Sequence, residues 1–171
     1  NNAKKTNLFF KLIKREKLTK KIGFSIYDLE DLKLVLNKAK PDVIQIPINV
    51  LNPNFSNKGL IKKLRNKKIE IHARSIFLQG LLLRNKLPKR FENYANLHSK
   101  WSIFCKNNSI DQINACISFV KQFQVNYIIC GLGSIEELYQ ISKIFKNLKK
   151  NINFNKLNIN SPKSYYDPRH W

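Results

Sequence analysis

Ile69-Glu-Ile-His-Ala-Arg-Ser-Ile-Phe-Leu-Gln-Gly-Leu-Leu-Leu83 is the stretch whose reading decides the architecture of this 171-residue chain. Ile69, Ile71 and Ala73 alternate with Glu70, His72 and Arg74, the period of a strand whose two faces meet different surroundings. The alternation then breaks, without a turn signal, into Ser75-Ile-Phe-Leu-Gln-Gly80, which is mostly apolar. Apolar side chains outside a strand or helix still favour burial, so this loop is expected to cover something.

Working upstream, Leu60, Ile61 and Leu64 recur at helical spacing after the turn chemistry of Asn52-Pro-Asn-Phe-Ser-Asn57. Val43-Ile-Gln-Ile-Pro47 is a short, nearly all-apolar run, as buried parallel strands are, with proline where the ladder can spare a donor. Before it, Asp28 opens a helix carrying Leu29, Leu32 and Leu36, which Pro41 stops, and Ile22 to Tyr27 reads as a strand. Leu8 to Leu18 reads as an amphipathic helix with Leu8, Phe9 and Leu12 on its apolar face, ended at Lys20-Lys21.

Downstream, helical periodicity over Tyr94 to Cys105 precedes a helix from Asp111 that buries Ala115, Phe119 and Val120. Val125 to Gly131 is the next strand. Ser134-Ile-Glu-Glu137 is a capping box for a helix through Leu138, Ile141, Phe145 and Leu148. Strands alternating with helices predict an α/β fold with a parallel sheet wrapped by helices. Lys149 to Asn160 is Lys- and Asn-rich and reads as loose, whereas the aromatic ending Tyr165 to Trp171 is expected to dock.

A hydrophobic content of 43% suffices for a core. The chain contains no methionine, from which we expect a processed or truncated piece. No apolar run approaches the roughly 18 residues of a membrane span, and Asn1 to Asn7 is not a signal peptide. Cys105, Cys116 and Cys130 form no CxxC pair and read as reduced thiols, hence a cytoplasmic protein. The net charge of +21 raises the alternative of a basic module for RNA or another polyanion. However, lysines are spread over every helix and are not interleaved with aromatic residues as a stacking platform requires, so nucleic acid is the lesser reading.

Ile22-Gly-Phe-Ser-Ile-Tyr27, Pro41-Asp-Val-Ile-Gln-Ile-Pro47, His72-Ala-Arg-Ser-Ile-Phe-Leu-Gln-Gly-Leu-Leu82 and Ile129-Cys-Gly-Leu-Gly-Ser-Ile-Glu-Glu-Leu138 resemble, in order, strands five to eight of the aldo/keto reductases. With its Asp167-Pro-Arg-His-Trp171 ending, the chain looks like the branch found with bacterial surface-polysaccharide and sugar-nucleotide genes. The resemblance implies the C-terminal half of a TIM (β/α)8 barrel, a fold of roughly 250 residues with its site at the strands' C-terminal ends. Residues 1–148 would form the half barrel and 149–171 a tail docked on it. The activity implied is hydride transfer between NADP or NAD and a small-molecule carbonyl substrate, a sugar or sugar derivative. The family's catalytic Tyr, Asp, Lys and His belong to the first half, so no catalytic residue is assigned here, and the missing N-terminal half becomes a required partner.

The same resemblance implies a cofactor bed at the strand ends. Ser25 matches the Ser that binds the nicotinamide carboxamide, with Ile26 in place of its usual Asn neighbour, and Gln45 matches the carboxamide-binding Gln. Arg74 stands where many members carry a stacking aromatic; a guanidinium over a cationic ring would be repelled, so pyrophosphate or an acidic substrate suits it better. Ser75 to Gly80, including Leu78 and Gln79, would lie along the pyrophosphate, and Gly131, Leu132 and Gly133 would meet the adenosine phosphate. Glu137 stands where a base for a 2′-phosphate is usual, which leaves NADP and NAD open.

Plainer readings stand beside these. Gln45 could be a core amide, Glu70 and His72 read as a paired filling below the site, His98 and His170 as surface or tail residues, and Cys130 as packing. No His, Cys, Asp or Glu spacing suits a metal. A half barrel leaves two strand edges open, so alone it should dimerise, aggregate or need its other half.

Overall fold

The computed structural model describes residues 2–148 and 152–171, with side chains from residue 5 onward. Four strands, β1 (Gly23–Ser25), β2 (Val43–Pro47), β3 (Glu70–Arg74) and β4 (Tyr127–Ile128), form one sheet in that order, each adjacent pair parallel. The helices are α1 (Asn2–Arg15), α2 (Leu29–Lys38), α3 (Lys58–Asn66), α4 (Ala95–Asn107), α5 (Gln112–Lys121), α6 (Ile135–Lys146) and the single turn α7 (Lys163–Tyr166). The expected α/β class with a parallel sheet is therefore what the chain adopts.

Strand periodicity sorts the sheet into two unlike faces. Ile44, Ile46, Ile71 and Ala73 are fully buried and share a core with Leu32 of α2, Ile61 and Leu64 of α3, Trp101 of α4 and Val120 of α5. Val43, Gln45, Glu70, His72 and Arg74 point the other way and are only half-buried. β1 and β4 are the two open edges, and Tyr127 and Ile129 stand exposed on the second.

Side-chain caps set where the helices begin. Asp28 accepts from Asp31 N at 2.9 Å, Asn57 from Leu60 N at 3.0 Å, Asp111 from Asn114 N at 2.8 Å and Ser134 from Glu137 N at 3.3 Å. The return bond of the expected capping box goes elsewhere. The Glu137 carboxylate accepts from Gly133 N at 2.6 Å, one residue before the cap.

Several expectations need correction. α1 ends at Arg15, and its Leu8–Phe9–Leu12 face is exposed; its seat is the Phe10–Phe24 ring contact at 5.4 Å, Asn7 Nδ2 donating to Lys38 O at 2.6 Å, and Lys14 paired with Asp42 at 2.7 Å. β4 is two residues long, where a strand over Val125–Gly131 was expected. On α6 only Ile141 is buried, while Leu138 and Phe145 are exposed, because an edge strand offers cover on one side alone. The segment expected to be loose packs instead: Ile152, Phe154 and Leu157 are buried, with Phe154 against Phe104 and Phe119. Residues 149–151 lie outside the described ones.

His98 is no surface residue. It is 5% exposed, its Nε2 donates to Arg84 O at 2.7 Å, and its Nδ1 is thereby left to accept from the Tyr165 hydroxyl at 3.5 Å. Tyr165 is fully buried and stacked on Tyr94 with ring centroids 4.4 Å apart, and burial pushes its phenol up to about 12. The aromatic ending docks as expected, with Trp171 edge-on to Phe91 at 4.8 Å. The cysteines are free thiols; burial pushes Cys105 up to about 12 and also raises Cys116 and Cys130, which suits packing better than nucleophilic attack. Among the described residues no helix is long and apolar enough to cross a membrane.

Candidate functional site

The register stacks the open face into layers. Ser25, Gln45, His72 and Tyr127 lie side by side at one level, and Pro47 and Arg74 are paired one step nearer the strands' C-terminal ends. Ser25 is exposed and Gln45 half-buried, and neither side chain has a hydrogen-bond partner among the described residues. Neither is sealed from solvent, so water can meet both groups, and a polar ligand or further chain can take that water's place.

Arg74 leans over this layer. Its Nη2 donates to Ile26 O at 3.1 Å, beyond β2, and its Nη1 to Ser75 Oγ at 3.1 Å. Its guanidinium lies 4.2 Å above the Tyr27 ring centre, and its Nε is buried without an acceptor. Desolvation lowers its pKa, with Tyr27 and Asp167 opposing and Arg169 assisting that shift. On the same ring sits Arg169, at 4.5 Å. Tyr27 thus carries two guanidinium groups on one ring.

Arg169, unlike Arg74, has carboxylate partners: Asp167 at 3.0 and 2.7 Å, in fork geometry, and Asp28 at 3.3 Å. These pairings raise Arg169 further and hold Asp167 below the usual carboxylate range, while the Asp31 amide leads Asp28 down, with Arg169 helping. Sequence reasoning missed Tyr27, Asp28 and Arg169 as parts of one cluster. The available signal was the tail's aromatic and charged ending, which was read as docking and as a mark of one family branch, not as part of the rim.

The exit of β3 is held by the loop after β2. Asn49, 1% exposed, donates from Nδ2 to Ser75 O at 3.2 Å while its Oδ1 accepts from Leu51 N at 3.0 Å and Asn52 N at 3.1 Å. This Asx-type turn, also unforeseen, lets Ser75 keep a left-handed φ of 54°. Leu78, Gln79 and Gly80 share that region with φ of 49°, 51° and 79°. The repeated reversal turns Ile76, Leu78, Leu81 and Leu82 into the core, so what the apolar loop covers is the domain's own interior. Leu78 is 0% exposed and has no surface to offer a ligand, whereas Gln79 is exposed.

Gly131, Leu132 and Gly133 form an exposed turn from β4 into α6, on the far side of β3 from Ser25. Here the N-terminal turn of α6 already carries carboxylates: Glu137 holds Gly133 N, and Glu136 is kept below the usual range by the Ser134 hydroxyl. The electropositive end of a helix stabilises an anion, and the protein's own side chains take that place. An incoming phosphate would have to displace them.

On the same open face, level with Gln45, His72 Nε2 meets Glu70 Oε1 at 2.8 Å, Glu70 also pairs with Lys21, and Tyr127 stands edge-on to His72 at 5.0 Å. The pairing is as expected but its place is not: only Glu70 lies below the level of Ser25 and Gln45, while His72 lies beside them. Clefts of about 460 Å³ between α1 and α2, and about 620 Å³ between α3 and the end of α5, lie toward the other end of the sheet. No group of His, Cys, Asp or Glu among the described residues could hold a metal.

Residues 6–159 match the model of the Aldo/keto reductase family. The chain is similar in fold to the aldo-keto reductase AKR11C1 from Bacillus halodurans in its apo form, with a TM-score of 0.74 and 15% identity, covering 100% of this chain and 61% of that one. The holo form of the same enzyme gives 0.71 at 15% identity over 97% and 58% of the two chains. The thermostable aldo-keto reductase Tm1743, solved with the inhibitor epalrestat, gives 0.64 at 17% identity over 91% and 53%. The chain thus spans between 53% and 61% of the length of these structures, and its four-strand sheet matches part of their barrel. No curated protein matches the sequence.

Proposed function

We propose, from the premise that this chain belongs to the aldo/keto reductase family, that it is the C-terminal half of the family's barrel and provides the bed on which a nicotinamide cofactor lies. Residues 1–148 act as the half barrel and 149–171 as its docked tail. The observation that carries the reading is the pair of unpartnered side chains, Ser25 and Gln45, side by side in register on the open face just below the strand ends. A carboxamide needs one donor and one acceptor in that geometry, and a Gln amide with a Ser hydroxyl offers both.

When bound, the cofactor supplies the hydride that reduces a carbonyl. The chain's own residues bind and orient it. Ser25 and Gln45 take the carboxamide, while Ser75 and Gln79 present the surface beside the pyrophosphate. Gly131 to Gly133 lie toward the adenosine end, where Glu136 and Glu137 oppose a 2′-phosphate and so favour NAD over NADP. Leu78 supports the loop from within. The groups that would activate the carbonyl belong to the first half of the barrel, so the chain alone is inactive. The open edges β1 and β4 are where that half would pair.

Resemblance of His72-Ala-Arg-Ser75 and Asp167-Pro-Arg-His-Trp171 to the surface-polysaccharide branch supports a sugar or sugar derivative as substrate, and three reduced thiols suit a cytoplasmic setting. The test is a titration of NADH and NADPH into the chain followed by fluorescence. Saturable binding, tighter for NADH and weakened in Gln45→Ala, is expected. Equal binding by wild type and Gln45→Ala would remove the proposed role, and turnover by the chain alone would contradict the missing catalytic groups.

A further inference from the structure

Arg74 differs from Arg169, the other guanidinium at Tyr27, in how it is compensated. Arg169, which shares the Tyr27 ring with it, is held by two carboxylates. Arg74 has no carboxylate within salt-bridge distance among the described residues. Its fixed contacts are a backbone carbonyl, a serine hydroxyl and an aromatic face, all neutral, and its Nε is an orphan. Desolvating a guanidinium without an opposite charge is unfavourable, and the fold compounds that cost with the left-handed Ser75 that brings its Oγ to Arg74. A fork held rigid by neutral contacts, with further N–H groups unused, is preorganised for an oxyanion.

The direction of the side chain tells which anion. Arg74 starts on β3 but reaches over Pro47 to the exit of β1, so its charge lies above Ser25 and Gln45. Its Nη1 stays at Ser75, on the side proposed for the pyrophosphate. Its Nη2 is turned the other way, to Ile26 beside β1 and away from the Gly131–Gly133 turn at the proposed adenosine end. The two anions therefore compete for one fork, and the pyrophosphate probe below separates them. We propose that Arg74 is a specificity-determining residue that binds a carboxylate or phosphate carried by the carbonyl substrate itself, so that the substrate is an acidic sugar or another acidic carbonyl compound. This rests on the proposed placement of the nicotinamide at Ser25 and Gln45, and it goes beyond that reading by naming the substrate's charge.

The test uses the 171-residue chain with 15N-labelled arginine side chains and three probes: D-glucuronate, D-glucose and inorganic pyrophosphate. At a net charge of +21 any anion will associate to some degree, so the decisive variant is Arg74→Lys, which keeps the charge and loses the fork. D-glucuronate is expected to shift the Arg74 Nε resonance saturably and D-glucose to leave it unmoved. Arg74→Lys should weaken glucuronate binding about tenfold, the loss of one charge-assisted hydrogen bond. Glucuronate binding equal in wild type and Arg74→Lys would overturn the proposal, as would a resonance that responds to pyrophosphate and not to glucuronate. Ser25→Ala separates the two readings. It should weaken NADH binding while leaving the glucuronate response of Arg74 intact, so absence of NADH binding beside an intact response would sink the cofactor assignment and spare the anion site.

Discussion

The two faces of one sheet divide the labour of this molecule between alternate residues of the same strands. Ile44, Ile46, Ile71 and Ala73 are fully buried against the helices. Gln45, His72 and Arg74, interleaved with them, stay half-buried and carry amide, imidazole and guanidinium groups. The first set can be close-packed because nothing else is asked of it. On the second set, polar groups are left partly unmatched, which a fold tolerates where a ligand or another chain segment completes them.

Mutations should break this contrast in a graded way. The largest effect is expected on the covered face: Ile71→Ala leaves a cavity between sheet and helices and should cost about 2–5 kcal/mol in urea unfolding. Gln45→Ala, its neighbour on the open face, should change stability by no more than about 0.5 kcal/mol. The same change should weaken nicotinamide cofactor binding about tenfold, as losing one satisfied amide hydrogen bond would. A large stability loss in Gln45→Ala would show that the open face is a core after all.

pH sharpens the comparison at the tail. The carboxyls of Asp28, Asp42 and Asp167 lie lower in the folded chain than in the unfolded one. Their contribution is therefore present above the unfolded carboxylate pKa of about 3.9 and is lost as pH falls through the lower folded values. Thermal unfolding should show a falling midpoint in that acid window, and Asp167→Asn should flatten the fall by removing the pairing with Arg169. The smallest effect belongs to the exposed face of α1, where Leu12→Gln should alter stability by less than about 0.5 kcal/mol. A larger loss would mean that this face is covered in solution.

How much of this could be read in the sequence follows from how local each cause is. β2 runs over Val43–Pro47, as its apolar run with a terminal proline predicted, and β3 over Glu70–Arg74, because strand periodicity is written in neighbouring residues. Asp28, Asp111 and Ser134 cap their helices for the same reason, since a cap acts within three residues. The pairing of Glu70 with His72 followed from strand parity. What escaped was long-range. The Arg169–Asp28 contact spans 141 positions, and the buried His98 meets Tyr165 across 67. Leu78 was placed beside a ligand because the family resemblance lays its loop along the pyrophosphate. The successive left-handed residues that turn it inward leave no mark in composition. The α1 face misled for the opposite reason: its apolar stripe is genuine, but among the described residues nothing packs on it.

The central claim, that the open face with Ser25 and Gln45 is a nicotinamide bed, is tested most directly by calorimetric titration of NADH into the wild-type chain and into Gln45→Ala. The account predicts saturable binding to the wild type and about tenfold weaker binding to the variant at unchanged unfolding stability. Identical affinity in the two, with both chains folded, would contradict it.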